Sequence, residues 1–153
     1  MKRHVTLIPF SRDHHEALIL SRLMQRDAPA YKGLPSDNPG KASYAFAFFH
    51  DKLLPHFQAE EQCIAAVLMG KDPQLDTKLT EMIQEHRQLS DFFQSIPGSD
   101  SQETVLHDTG KLLEKHIRSE ERELFPLIEQ LFDDEFLVKI SDSLTAFTHE
   151  KGH

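Results

Sequence analysis

The feature that most constrains this chain is a His-x-x-x-Glu motif that occurs twice. The first copy is His56 with Glu60 and the second is His116 with Glu120; no other histidine among the 153 residues has a glutamate four positions later. Residues four apart lie one above the other on the same face of an α-helix. Each motif therefore presents an imidazole and a carboxylate together, and the duplication predicts a set of side chains that can hold a metal ion.

Apolar residues around both motifs recur with the period of a helix, and signals for strands are nearly absent. The pattern predicts long amphipathic helices over residues 11–27, 41–69, 73–96 and 102–132, followed by a short segment over 136–149. One long and two short connections predict an all-α fold, an antiparallel up-down-up-down four-helix bundle with a short C-terminal fifth helix. We expect one domain over residues 1–153 with its core at 11–132, and a fifth helix that packs across the outside or into a dimer contact.

Polar residues mark the predicted helix starts. Ser11, Asn38 and Asp72 are placed to cap the first three helices, and Asn38 and Asp72 are each followed by a proline. Residues 100–103, with the sequence Asp-Ser-Gln-Glu, resemble a capping box for the fourth helix.

Two prolines fall inside predicted helices. Pro55 lies directly before His56, and Pro126 lies ten residues after His116. An internal proline removes one backbone hydrogen bond and usually produces a kink. The bend at Pro55 either wraps the helix around the core or aims His56, and the sequence favours neither.

Composition restricts the partners of the chain. A formal net charge of −8 argues against nucleic acid, because neutralising phosphates requires a basic face, and it disfavours an anionic membrane surface. No apolar run approaches the roughly 20 residues that cross a bilayer, and the apolar patch ending at Pro9 is too short for a secretory signal. We therefore expect a cytoplasmic protein. The single cysteine, Cys63, excludes an internal disulfide framework and is expected to be a small core residue.

Each predicted helix of the bundle carries a histidine in its apolar stripe: His14 or His15, His56, His86 and His116. A buried imidazole without a partner costs about 1–3 kcal/mol, so metal binding explains the whole set better than four separate packing accidents. Four imidazoles and two carboxylates exceed the needs of one tetrahedral zinc ion. They suit two ions, each with two imidazoles and both bridged by carboxylates. Mixed nitrogen and oxygen ligation favours iron over manganese, with room for a bridging oxide or hydroxide and an exogenous ligand.

The first helix offers two adjacent histidines. An acidic residue directly precedes both His14 and His86, as Asp13 and Glu85, and this match favours His14. The leucine three positions later is matched between His15 and His86, which favours His15. On a helical wheel the apolar residues of this helix centre nearer His14, and we expect His14 to be the ligand.

Residues next to the candidate ligands have two interpretations. Glu61 and Glu121 follow the two motif glutamates and either accept a ring N–H from a ligand histidine or form solvated ion pairs with Arg118 or Arg122. Four aromatic side chains either line a dry pocket around the metals or belong to the ordinary core: Phe49, Phe57, Phe93 and Phe125.

The order of these residues resembles the hemerythrin-like HHE cation-binding family, with a histidine on helices 1 and 3 and His-x-x-x-Glu on helices 2 and 4. The resemblance covers residues 11–131, including the Glu-Glu doublets and the Glu-Leu-Phe-Pro sequence at 123–126. It implies a four-helix bundle with a non-haem di-iron centre. The ligands carried over are His14 or His15, His56, Glu60, His86, His116 and Glu120.

One position departs from the oxygen-carrying members of that family. They have a second histidine on helix 3 four residues after the first, where this chain has Ser90. The remaining set is more similar to bacterial relatives linked to iron-centre repair and nitric oxide stress, although their N-terminal cysteine-bearing domain is not in this sequence. The expected function is a di-iron protein that binds or senses dioxygen, nitric oxide or peroxide, or handles iron. The alternatives are a di-iron oxidoreductase and a metal-free helical interaction domain.

Overall fold

The computed structural model describes residues 2–151, and of Glu150 and Lys151 the backbone alone. All regular structure in this part of the chain is helical. Five helical segments follow one another, and we number them α1 to α5: Ile8–Leu23, 38–68, Pro73–Ser95, 102–131 and Asp134–Lys151. The predicted all-α bundle with an additional C-terminal helix is confirmed.

Helix α1 begins three residues before the predicted start. Pro9 lies in its first turn, where a missing N–H is harmless, and the N-cap residue Leu7 provides no side-chain hydrogen bond. The prediction that Ser11 caps this helix is wrong. The Ser11 N–H already bonds the carbonyl of Leu7, and its hydroxyl donates to Glu121 of the fourth helix.

The other predicted caps have mixed outcomes. Asp72 caps α3 as predicted by accepting the N–H of Leu75 at 3.0 Å. At α2 the cap is Asp37, which accepts from Gly40 at 2.7 Å, because Asp37 is extended and Asn38 is already the first helical residue. Ser101 occupies the N-cap position of α4 without a side-chain cap, so the predicted capping box does not form.

Both internal prolines lie inside continuous helices, and each is the second residue after a π-helical turn. In α2 the π turn Phe49–Leu53 precedes Leu54–Glu60, which contains Pro55. In α4 the π turn Glu120–Leu124 precedes Phe125–Leu131, which contains Pro126. A proline has no N–H to offer the preceding turn, and such π turns are frequent at functional sites. A further π turn, Glu61–Ala65, follows the first motif directly.

Two apolar clusters fill the bundle and show its antiparallel order. One cluster joins the C-terminal half of α1 to the N-terminal half of α2, and the other joins the start of α1 to the end of α2. Helices α3 and α4 divide between the clusters in the same alternating manner, and α5 contributes Leu137 and Ile140 to the second cluster alone. The level between the clusters, at mid-length of the four helices, is occupied by polar side chains. Cys63 is fully buried in the second cluster, as predicted.

Within residues 2–151, no helix has the length and apolar character needed to span a membrane.

Candidate metal centre

The level between the two apolar clusters contains the histidines and glutamates that the sequence analysis singled out. Helix α1 supplies one side chain, α2 two, α3 one and α4 two, and all six are buried: His14, His56, Glu60, His86, His116 and Glu120. His15 lies on the exposed face of α1, outside this set. Four helices thus bring these side chains to one level, because each residue lies on the inward stripe of its helix.

The six side chains form two groups that share both glutamates. The first group contains His14 and His56, the second contains His86 and His116, and each group is completed by Glu60 and Glu120. In each group the four ligand atoms all lie within 4.8 Å of one another. Each group could hold a cation, and the two shared glutamates place the groups side by side.

The carboxylate oxygens divide between the groups. Glu60 directs Oε2 to His56 Nε2 at 3.3 Å and Oε1 to His86 Nε2 at 3.0 Å. Glu120 directs Oε1 to His14 Nε2 at 3.1 Å and Oε2 to His116 Nε2 at 2.7 Å. Two ligands at right angles, each about 2.1 Å from one ion, lie about 3 Å apart. Each glutamate therefore has the geometry of a bridge, with one oxygen for each position.

Most of these atoms make no aligned hydrogen bond, although each Nε2 lies within 2.7–3.3 Å of a carboxylate oxygen. Among the described residues, seven buried side-chain atoms lack a partner, and six of them are Nε2 of His14, His56 and His116, Oε2 of Glu60 and both oxygens of Glu120. An unpartnered buried polar atom costs about 1–3 kcal/mol. Six such atoms at one level fit a site for cations, because one cation in each group would satisfy all of them.

The outward-facing nitrogen of every histidine in the set is held by an acid, and we call these four residues the outer acids. Each outer acid belongs to the helix preceding that of its histidine in a closed ring. Asp13 of α1 contacts His56 Nδ1 at 3.0 Å, and Glu61 of α2 contacts His86 Nδ1 at 2.8 Å. Glu85 of α3 contacts His116 Nδ1 at 2.6 Å, and Glu121 of α4 contacts His14 Nδ1 at 2.6 Å.

The ring of outer acids fixes the chemistry of the imidazoles. A carboxylate that accepts the Nδ1–H leaves Nε2 as the free ligand atom and orients the ring. For Glu61 and Glu121 the structure selects the contact with histidine from the two interpretations, since they contact His86 and His14 rather than Arg118 or Arg122. The roles of Asp13 and Glu85 were not predicted. Their available signal was the acid directly before a candidate histidine, which aligns the two halves of the sequence.

The histidines and glutamates at the centre shift one another's pKa. Burial alone lowers the pKa of His14, but the carboxylates of Glu120 and Glu121 outweigh burial and raise this pKa to about 10. Burial also opposes the charge of His56, yet Glu60 and Asp13 raise its pKa to about 9. The same balance raises the pKa of His86 and of His116. Burial raises the pKa of Glu120, but His116 and its neighbours bring it well below the ordinary value. The metal-free centre thus holds protons where cations would bind.

Aromatic rings close the centre above and below. Phe57 stacks on His86 with ring centroids 4.1 Å apart, and Phe125 stacks on His14 at 5.8 Å. Phe49 and Phe93 stack on each other in the first apolar cluster and have no ring contact with the six side chains. Of the four phenylalanines considered, two therefore line the centre and two belong to the ordinary core.

Two clefts reach the outer acids from opposite sides. A cleft of about 340 Å³ between α1 and α2 is lined by Asp13, His56 and Lys52 among others. A cleft of about 680 Å³ between α3 and α4 is lined by Glu85 but not by His116. A histidine of the first group thus borders a cleft directly, whereas on the side of the second group Glu85 lines the large cleft and both Glu85 and Glu120 line a small cavity beside it.

Comparison with known families agrees with this geometry. The model of the hemerythrin HHE cation-binding domain matches residues 9–128, which include all six side chains and all four outer acids. Searches of curated proteins and of solved structures find no significant match to the chain.

Proposed function

Because this chain belongs to the hemerythrin HHE cation-binding family, we propose that it is a non-haem di-iron protein whose centre binds a small ligand. The observation that carries the proposal is the pair of groups sharing Glu60 and Glu120. One position is formed by His14 and His56, and the other by His86 and His116. Each glutamate offers a separate oxygen to each position, which supports two ions rather than one.

The donor set supports iron. Imidazole nitrogens with carboxylate oxygens suit redox-active iron, whereas cysteine, the ligand typical of structural zinc, is absent from both groups. Four imidazole nitrogens and four carboxylate oxygens cannot fill two six-coordinate ions. A bound di-iron centre supplies open coordination positions and redox capacity toward dioxygen, nitric oxide or peroxide.

The protein residues have three separate tasks. The six buried side chains provide the ligand atoms, and the outer acids hold Nδ1–H so that each ring keeps Nε2 directed inward. Phe57 and Phe125 cover two of the imidazoles and keep bulk water from the centre. Together they keep the ligand atoms in place before any ion arrives.

The test is metal content and an absorption spectrum in air, measured on protein purified without added metal or chelator. We expect about two irons per chain, an oxo-to-iron charge-transfer band, and a melting temperature roughly 10 °C above that of metal-free protein, because an ion that binds only the folded state stabilises it. Metal-free protein that takes up no ferrous iron under anaerobic conditions would overturn the proposal and favour a helical interaction domain.

A second measurement separates reversible binding from turnover. Ligand binding leaves added reductant unconsumed, whereas a di-iron oxidoreductase consumes reductant and oxygen continuously. We expect oxygen uptake to stop after a stoichiometric amount when reductant is added to the iron-loaded protein. Uptake that continues until the reductant is exhausted would assign the same centre to an enzyme.

A further inference from the structure

The segment before α1, residues 2–7, is tied to the far end of α4. Arg3 Nη1 donates to Glu129 Oε1 at 2.9 Å, and the backbone N–H of His4 donates to the other oxygen of Glu129. The His4 ring contacts Asp134 at the start of α5 at 2.9 Å. Three contacts to two helices hold this segment beside the π turn of α4, which begins at Glu120.

That π turn leaves a backbone carbonyl without its helical partner. The N–H of Phe125 bonds the carbonyl of Glu120 rather than that of Glu121, and the next residue, Pro126, has no N–H to offer. The Glu121 carbonyl is therefore free to accept elsewhere. Arg3 Nη2 donates to it at 2.8 Å.

The same guanidinium contacts the side chain of Glu121, which is an outer acid. Arg3 Nη2 lies 3.2 Å from Glu121 Oε1, while Oε2 accepts from Ser11 at 2.7 Å and contacts His14 Nδ1 at 2.6 Å. Arg3 also lies over the ring of Phe125, 5.4 Å from its centroid, and Phe125 stacks on His14. Two short paths thus connect Arg3 to one imidazole of the first group.

The second group has no equivalent of this arrangement. Glu61 corresponds to Glu121, since each follows the glutamate of its motif. Its carboxylate contacts His86, and within the described residues no arginine, lysine or serine side chain contacts it. The acid that contacts His14 is therefore held more firmly than the acid that contacts His86.

We propose that Arg3 is a positioning residue for the first metal position, acting on His14 through Glu121 and Phe125. The inference rests on the proposed function, because it concerns the affinity of one of the two ions. Arg3 fixes both the backbone and the carboxylate of Glu121, so that the acid stays in place when His14 binds an ion. Loss of Arg3 leaves Glu121, which is partly exposed, free to turn toward solvent.

The experiment is an anaerobic titration with ferrous iron of the whole chain and of the Arg3→Gln variant, followed to two ions per chain. We expect the affinity for one ion to fall by up to about tenfold and that for the other to stay unchanged, because Arg3 acts through Glu121 and loss of a direct outer partner typically weakens binding by about 10–100-fold. Arg3→Lys, which keeps the charge but not the fork, is expected to restore part of the loss. Ser11→Ala, which removes another donor to Glu121, should weaken the same ion.

Lys78→Gln is the matched control, because it removes a cation paired at 2.9 Å with Glu123, two residues beyond Glu121 and outside the ring of outer acids. Both affinities should be unchanged in this variant. If Arg3→Gln binds each of the two ions with the same affinity as wild type, the inference is overturned and the proposed function stays intact. An equal fall in the affinity for both ions would show that Arg3 stabilises the fold as a whole and does not position His14. A wild-type chain that binds no iron would overturn both proposals.

Discussion

The first and second groups are built from the same residues in the same order, yet their surroundings differ. Each half of the sequence supplies an acid-histidine pair and a His-x-x-x-Glu-Glu run. In the first group the acid on the motif histidine is Asp13, with its side chain 60% exposed and 3.0 Å from His56. In the second it is Glu85, 20% exposed and 2.6 Å from His116. The repeated motif determines the donor atoms, and the surroundings determine how firmly each is held.

The other histidine of each group shows the opposite difference, because here the acid of the first group is the more firmly held. His14 is held by an acid that has two further donors, Arg3 and Ser11, whereas the acid on His86 has neither. Each group therefore contains one firmly held and one loosely held imidazole. Two chemically equivalent positions thereby become distinguishable by mutation, and four predictions test the comparison.

The largest effect is expected from a residue that the groups share. Glu120→Ala removes one oxygen from each position, so we expect both ions to be lost, whereas His86→Ala removes a ligand from the second position only and should leave about one ion per chain. Elemental analysis of the purified variants provides the measurement. His107→Ala, which changes a half-buried histidine outside the centre that accepts the backbone N–H of Arg26, is the control and should keep both ions.

Glu120→Gln separates the loss of charge from the loss of volume. It keeps the size of the side chain but has only one acceptor oxygen, which can serve only one position, so we expect at most one ion per chain. Equal iron in wild type, Glu120→Ala and His107→Ala would contradict the assignment of the shared carboxylate.

The next effect concerns pH, and its sign differs between the metal-free and the iron-loaded protein. The pKa of His14 is raised to about 10 and that of His56 to about 9 from an ordinary 6.5. A group whose pKa rises on folding stabilises the fold fully below its unfolded pKa and loses that contribution as pH rises through the folded one. The metal-free protein should therefore lose stability between about pH 6.5 and 10. At the acid end, the lowered pKa of Glu120 contributes stability that is lost as pH falls below 4.5.

Iron binding should respond in the opposite direction at alkaline pH. An ion displaces the protons on the imidazoles, so its affinity should increase from pH 6.5 upward until the imidazoles are neutral. Melting temperatures of both forms across pH 6 to 10, with iron hydrolysis avoided by anaerobic ferrous loading, compare the two trends. A metal-free melting temperature that is constant over this range would show that the four histidines are neutral without metal.

The outer acids are expected to have smaller and unequal effects. Glu85→Gln and Asp13→Asn each weaken the hold on one motif histidine, and loss of such a partner typically lowers affinity by about 10–100-fold. The less exposed Glu85 makes the shorter contact, so its variant should lie at the upper end of that range and the Asp13 variant at or below the lower end. Separate affinities for the two ions provide the test, and a larger loss for Asp13→Asn would reverse the comparison.

These acids also mark the limit of what the sequence predicts. The convergence of His56, Glu60, His116 and Glu120 follows from spacing and apolar stripes, which are properties of single helices. The contact of Asp13 with His56, or of Glu85 with His116, depends on how neighbouring helices are offset along the bundle. No pattern within one helix encodes that offset, so an acid next to a candidate ligand could be recognised without its partner being known.

Helix boundaries failed for a related reason. Serine is a residue type typical of N-caps, but the hydroxyl of Ser11 donates to Glu121, which lies on a helix more than a hundred residues later in the sequence. The π turns before Pro55 and Pro126 are not predicted either, because the sequence indicates only a kink at each proline and not a widened turn before it. Tertiary contacts decide both features, whereas the fold class depends on local periodicity and was predicted.

The smallest effect concerns how α1 reaches the first group. Gly110 of α4 faces α1, and a Cβ there would lie 2.5 Å from the carbonyl oxygen of Ser21 and 3.0 Å from the Cβ of Met24. Alanine gains up to about 1 kcal/mol of helix propensity over glycine, but a backbone atom cannot move aside as a flexible side chain can, and overpacking costs about 1–3 kcal/mol. We expect Gly110→Ala to lower the melting temperature by about 2–4 °C. Gly98→Ala, where no atom lies within 4 Å of the added methyl group, is the matched control.

Since His14 is the only one of the six central side chains that α1 supplies, displacement of this helix should lower the affinity for the first ion and spare the affinity for the second. An equal change in both affinities would mean that α1 does not move independently of the bundle.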